Sequence, residues 1–376
     1  MRSLEVAPPV LPDYRGACLT GVVPGLLGHL YGSVPLPAWM PAPVADAAQI
    51  VLLVLDGLGW EQLEERRAGA PTLAAAVGGP ITTVAPSTTA CALTSLVTGR
   101  APAEHGMVGY RVAYEGDILN VLLWTLGGVD ARERVHPLEF QPCPLFPGAP
   151  GPVPVITRYD YGTTGFSAAH LGNSDLLSWH TSAGLVTGVR DLVGSGAPFV
   201  YAYYEGIDKV AHARGLGAYY DDELRFADRL VADVLSVLPP GAVLVVTADH
   251  GQVDVGESVE VLGGDVMEGV TLISGEGRFR WLHVRPGAQD AVTEAAVEAH
   301  GDVAWVRTKA QIVEEGWLGG VPSAAVSSRL GDVALVPFTP TAFLDPADTG
   351  ELRLLARHGS LTPAEMLIPL LSWPTR

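Results

Sequence analysis

Residues 242–251 read Ala-Val-Leu-Val-Val-Thr-Ala-Asp-His-Gly, a strand-length apolar run that stops on an adjacent acid and imidazole. A run that is apolar at successive rather than alternate positions suits a parallel strand covered by helices on both faces. The pattern recurs twice. Residues 50–55 run into Asp56-Gly57, and residues 198–204 run into Glu205-Gly206-Ile207-Asp208. Between them lie helix-like stretches such as residues 219–238, with apolar side chains at three- and four-residue intervals. This alternation predicts an α/β fold with a mostly parallel central sheet flanked by helices. Its ligand site should lie beyond the carboxyl ends of the strands.

The composition agrees with one large α/β unit. The 376 residues are 48% hydrophobic and 17% charged, enough for a sizeable core and too apolar for global disorder. With 41 acidic against 23 basic residues the formal charge is −18, which argues against nucleic acid or an anionic membrane as partner. Three scattered cysteines, Cys18, Cys91 and Cys143, form neither a disulfide framework nor a CxxC thiolate site. The start of the chain lacks the apolar core of a secretory signal, and no apolar run approaches membrane-span length. A cytoplasmic protein is expected. The whole chain, 1–376, reads as a single catalytic domain. Residues of about 100–188 form a Pro-rich lid insertion or an irregular surface excursion. Residues 256–345 are a second insertion or a late part of the sheet, with a strand near Phe279–Val284. The first 45 residues are expected to wrap the outside.

Polar groups with chemical potential cluster where strands should end. Asp56 follows the first run and reads as a helix cap or a metal ligand. Residues 81–84 are strand-like, and Pro86-Ser87-Thr88-Thr89 leads into a helix over 90–97 closed by Gly99. A threonine at that junction is an ordinary N-cap, or a hydroxyl beside the helix end that would hold a phosphate. Asp208 and His212, at i and i+4, share a helix face at a separation one metal ion bridges, or are a cap and a surface imidazole. Asp249-His250 and a late His358-Gly359-Ser360 complete the set. Oxygen and imidazole donors without thiolates suit Zn²⁺, Mn²⁺ or Fe²⁺, with zinc favoured by the share of histidine.

In this order the segments resemble the alkaline phosphatase superfamily, and within it the nucleotide pyrophosphatase/phosphodiesterase family. Pro363-Ala364-Glu365-Met366-Leu367-Ile368-Pro369 resembles that family's closing strand. The resemblance implies an alkaline-phosphatase-like fold and two divalent metal ions, zinc first with manganese or iron as alternatives. Asp208, His212 and His358 would hold one ion. Asp56, Asp249 and His250 would hold the other together with Thr89, the nucleophile. Coordination would acidify the threonine hydroxyl, and a phospho-threonine intermediate would form and then be hydrolysed. Three carboxylates against four metal charges leave a positive centre that attracts phosphate despite the acidic chain. A sulfatase is excluded, because Cys91-Ala92-Leu93-Thr94-Ser95 lacks the Cys-x-Pro-x-Arg motif. Cys91 reads as a packed core residue.

One position departs from the family. His105-Gly106-Met107-Val108-Gly109-Tyr110 carries Tyr110 where the phosphodiesterases have an asparagine that donates to a phosphate oxygen. Tyr110 is the expected substrate-binding residue, because a phenol can also donate one hydrogen bond. The expected activity is metal-dependent hydrolysis of a phosphodiester or nucleotide pyrophosphate, with a small phosphate ester or nucleotide as substrate. A phosphomonoesterase or phosphonate-bond hydrolase on the same site is the alternative. A non-enzymatic phosphate-binding relic would have lost a ligand or the nucleophile, and all are present. No oligomeric state follows from the sequence.

Overall fold

A computed structural model describes residues 7–32, 34–348, 350 and 353–374. Seven strands form the central sheet: β1 (Gln49–Leu55), β2 (Val77–Thr82), β3 (Val153–Arg158), β4 (Ser174–Trp179), β5 (Phe199–Tyr204), β6 (Ala242–Thr247) and β7 (Leu367–Ser372). Their order is β2-β7-β6-β1-β5-β3-β4. The pairs β6-β1, β1-β5, β5-β3 and β3-β4 are parallel, and only β7 runs antiparallel to its neighbours. The predicted mostly parallel sheet is therefore present.

The three apolar runs are its centre. Every residue of β5 and β6, and all of β1 after Gln49, is buried. Full burial of a Val, Leu or Ile side chain contributes roughly 1.5–3 kcal/mol, against roughly 1–2 kcal/mol for ordering each residue's backbone. Such a strand is stable only where both faces are covered. The long amphipathic helix Ala218–Val237 supplies part of that cover through Leu224, Ala227, Leu230 and Val231. Register brings the chemistry together: Val54 pairs with Thr247 and Leu55 with Tyr204, so the three strands end level. Asp56, Asp208 and Asp249 all leave the sheet at that edge.

Helix α1 (Thr89–Thr98) follows β2 and ends at Gly99, whose φ of 66° is the left-handed closing conformation glycine favours. Helix α2 (Gly206–Arg214) follows β5 directly. The N-terminal segment does more than wrap the outside. Helix Val22–Leu30 has Val22, Val23, Leu26 and Leu27 fully buried, because its apolar stripe repeats at helical spacing and joins the main core.

Residues 256–345 hold a separate antiparallel sheet in the order Val270–Glu276, Phe279–Val284, Val333–Pro337, Ala304–Thr308. Helix Gln289–His300 backs it, and Leu282, Val292, Val333, Leu335 and Phe343 form its own core. The span 100–188 divides in two. Its first part forms a four-stranded antiparallel meander from Arg111 to Asp130, and its later part supplies β3 and β4.

Candidate metal centre and active site

Asp56 and Asp249 approach each other at the ends of β1 and β6. Asp249 Oδ1 accepts from the backbone N–H groups of Gly57 and His250, both at 3.0 Å. Asp56 Oδ2 accepts from the Tyr203 hydroxyl. The remaining oxygens, Asp56 Oδ1 and Asp249 Oδ2, are buried with no hydrogen-bond partner. Gly57 makes the approach feasible: its φ is 75°, and a Cβ there would stand 2.9 Å from the Asp208 Cβ.

Three imidazoles face the carboxylates, His250 towards Asp56 and Asp249 and the other two, His212 and His358, towards Asp208, each fixed from behind. His250 Nδ1 lies 3.1 Å from the Gly251 carbonyl, His212 Nδ1 2.7 Å from the Ala356 carbonyl, and His358 Nδ1 3.0 Å from the Ser87 carbonyl. A carbonyl can only accept, so each Nδ1 carries the hydrogen and each Nε2 offers a lone pair. His250 Nε2 stands 3.3 Å from Asp249 Oδ2 and 3.6 Å from Asp56 Oδ1. His212 Nε2 and His358 Nε2 stand 3.2 and 3.8 Å from Asp208 Oδ1. The rings of His250 and His358 stack with centroids 3.5 Å apart. Helical i,i+4 geometry on α2 aligns Asp208 with His212, as the spacing implied.

Lone pairs thus meet lone pairs, with Asp56, Asp249 and His250 buried and Asp208, His212 and His358 half-buried. An uncompensated buried carboxylate costs several kcal/mol, and only a cation or added protons relieve the conflict. Burial first, then Asp249 and Asp208, pushes the Asp56 carboxyl well above its usual range. Burial, then the neighbouring His250 and His212, holds His358 well below its own. Two donor groups emerge, Asp56–Asp249–His250 and Asp208–His250–His358, each with ligand atoms within 4.8 Å of one another. His212 adjoins the second through Asp208. Carboxylate and imidazole donors fit a divalent ion of the zinc, manganese or iron kind. Cys91 stands outside: it is fully buried, and burial pushes its thiol up.

Thr89 is the first residue of α1, and its hydroxyl lies 3.1 Å from His250 Nε2. Thr88 is the N-cap and is buried, so the hydroxyl at the centre belongs to position 89. Cavities open on both sides of Thr89. One, of about 350 Å³, is largely apolar, with Leu93, Leu122, Tyr161 and Phe166 in its wall. The other, of about 300 Å³, carries Tyr110, Glu276, Arg357 and His358. Tyr110 is thus in the same cavity as Thr89, but its hydroxyl donates to Asp348. Burial pushes Asp348 up. Tyr110 and Arg111 outweigh that effect and leave its carboxyl below the usual range.

Sequence reasoning missed the supporting groups. Gln252 Nε2 donates to Asp208 Oδ1 at 2.5 Å. Tyr203 meets Asp56, and Arg357 lines the second cavity. Gln252 stands two residues after His250, a place where a second donor could have been sought. The three backbone carbonyls behind the histidines carry no residue signature at all.

A mostly parallel sheet with this cluster at its carboxyl edge, beside a threonine at a helix start, is the architecture of a phosphoester hydrolase of the alkaline phosphatase superfamily. The chain belongs to the type I phosphodiesterase/nucleotide pyrophosphatase family, whose model matches residues 50–119 and 164–361. Solved structures share the fold. Murine ectonucleotide pyrophosphatase/phosphodiesterase 5 in complex with AMP is 16% identical, with 87% of this chain and 88% of that one covered and a TM-score of 0.65. Phosphonoacetate hydrolase from Sinorhizobium meliloti 1021 in complex with phosphonoformate is 17% identical, with 89% and 90% covered and a TM-score of 0.64. No curated protein matches the sequence. Among the described residues no helix is long and apolar enough to cross a membrane.

Proposed function

We propose that this chain hydrolyses a phosphodiester or nucleotide pyrophosphate, with Thr89 as the nucleophile. The observation that carries the reading is the Thr89 hydroxyl, 3.1 Å from His250 Nε2, where the two donor groups meet. Two divalent ions, zinc first, held by Asp208–His212–His358 and by Asp56–Asp249–His250 with Thr89, would acidify that hydroxyl and neutralise charge on the phosphate. Thr89 Oγ, deprotonated, bonds to phosphorus as the bond to the leaving oxygen breaks. Water then cleaves the phospho-threonine and restores the hydroxyl. The start of α1 presents N–H groups without intrahelical partners to the same phosphate. Tyr203 and Gln252 hold Asp56 and Asp208 in place through the hydrogen bonds they donate to those carboxylates. Tyr110 bounds the substrate from the smaller cavity.

The whole chain acts as one catalytic unit in this reading, with the meander from Arg111 to Asp130 as its lid. Leu122 of that meander reaches both cavities. The formal charge of −18 favours a small substrate over nucleic acid or an anionic membrane. Three free cysteines suit a reducing compartment, which supports a cytoplasmic location.

A phosphomonoesterase or phosphonate-bond hydrolase on the same centre is the second reading. Arg357 favours it: a 3%-exposed cation in the cavity beside Thr89 could take a second negative charge. Rates on aryl phosphate diesters and monoesters with metal-reconstituted protein separate the two. Faster diester hydrolysis is expected. A monoester preference supports the second reading, and hydrolysis of neither ester nor of a phosphonate overturns both.

A further inference from the structure

Glu365, in the short helix Pro363–Met366, takes no part in the centre described above, yet it is fully buried. Its Oε1 accepts from Arg278 Nε at 2.7 Å and from the Ser360 N–H at 2.9 Å. Its Oε2 accepts from Arg278 Nη2 at 2.8 Å and from the Thr362 hydroxyl at 2.5 Å. Arg278, also fully buried, sits in the turn between the first two strands of the smaller sheet. Its Nη1 donates to the carbonyls of Thr339 and Thr341 at 2.7 and 2.6 Å. The carboxylate is saturated.

A buried ion pair of this kind adds little stability over two apolar side chains of the same size. What it adds is location. Glu365 grips the loop just after His358 through Ser360 and Thr362. Its own carbonyl accepts from the Gly251 N–H at 2.9 Å, next to His250. Ser87 holds the same loop from the opposite side. Its hydroxyl accepts from the Gly359 N–H at 3.1 Å and donates to the Ser360 carbonyl at 2.7 Å. Its backbone carbonyl fixes His358 Nδ1. The stretch His358-Gly359-Ser360 is therefore clamped between Ser87, two residues before Thr89, and Glu365.

We propose that Glu365 and Ser87 are positioning residues that aim His358 Nε2 at Asp208, so that metal affinity depends on a clamp anchored by Arg278 in the smaller sheet. The inference rests on the metal-centre reading above. Neither residue touches substrate or ion, and the effect should appear as weaker metal binding in a folded protein.

The test is zinc affinity, measured in the full chain by competition with a chromophoric chelator, alongside unfolding of the metal-free protein. Ser87→Ala removes one hydroxyl and leaves no buried charge, so the chain should fold. The double variant Arg278→Met with Glu365→Gln removes both charges together. In each, one zinc-binding step should weaken roughly 10–100-fold, the range seen for partners behind metal ligands. Activity lost at limiting zinc should return as zinc is raised. If the double variant does not fold, Ser87→Ala decides the matter alone. Wild-type affinity for both ions in a folded variant overturns the clamp. A wild-type chain that binds no zinc overturns the metal-centre reading itself, and the clamp with it.

Discussion

Replacing Asp249 by Asn should stabilise the metal-free protein and destabilise the metal-loaded one. Asp249 is fully buried, and its Oδ1 already accepts two backbone N–H groups, which an amide oxygen can also accept. The change falls on Oδ2, which has no partner and faces His250 Nε2 at 3.3 Å. An amide nitrogen there donates to that lone pair. It removes a charge crowded by Asp56 and replaces an unsatisfied buried acceptor, worth about 1–3 kcal/mol. The metal-free unfolding midpoint should therefore rise. Metal acts in the opposite direction. An ion at a free concentration 100-fold above its dissociation constant stabilises the wild type by about 2.7 kcal/mol. With its carboxylate gone, the variant should lose most of the gain from one ion. The assay is thermal unfolding with and without zinc. A metal-free variant less stable than wild type, with the full gain on adding zinc, would refute the claim that Asp249 Oδ2 awaits a cation.

Thr89→Ala should reduce turnover by at least on the order of 10³-fold while the fold is kept, since the nucleophile is lost. In the same assay Thr88→Ala should stay within about 10-fold of wild type, well short of the loss of a nucleophile. The reverse ranking would move the nucleophile to position 88. Tyr110→Phe should change kcat by less than the ~10²-fold of a lost oxyanion donor, because the phenol hydrogen goes to Asp348. A loss of that size would mean the hydroxyl turns to the phosphate during turnover. Cys91→Ser should remain active, and inactivation by that change would give the thiol a chemical role. Elemental analysis of metal-saturated protein should find two ions per chain, on the pattern of two-metal sites. One ion or none in folded protein counts against the paired centre.

The legible parts of the fold are those where burial leaves a mark. β1, β5 and β6 are apolar at successive positions because helices cover both faces, and each ends on the acid that its run announced. Edge elements leave less trace. β4 lies at the sheet margin with residues 175–178 exposed, and β3 begins in a Pro-rich stretch, so the sequence places both in a lid insertion or an irregular surface excursion. The candidate metal-binding residues were legible because acids and histidines at strand ends, taken in order, resemble the family's pattern. Their orientation was not. It depends on the carbonyls of Ser87, Ala356 and Gly251, which any residue could supply. Glu365 was visible in a motif, but its partner Arg278 lies 87 residues away in the chain and on another sheet. Tyr110 stands out in the sequence because it occupies the position where the family's phosphodiesterases have an asparagine. Only the folded chain brings Asp348 to its hydroxyl.

The central claim is that Thr89 carries the phosphoryl group between two displacements. The stereochemistry at phosphorus tests it most directly. A chiral phosphorothioate diester would be hydrolysed by the metal-loaded protein in isotopically labelled water, and the product configuration determined. Each in-line displacement inverts phosphorus, so attack by Thr89 followed by attack of water gives net retention. Net retention is the expected result. Net inversion would mean that water attacks the substrate in a single step and that Thr89 never bonds to phosphorus.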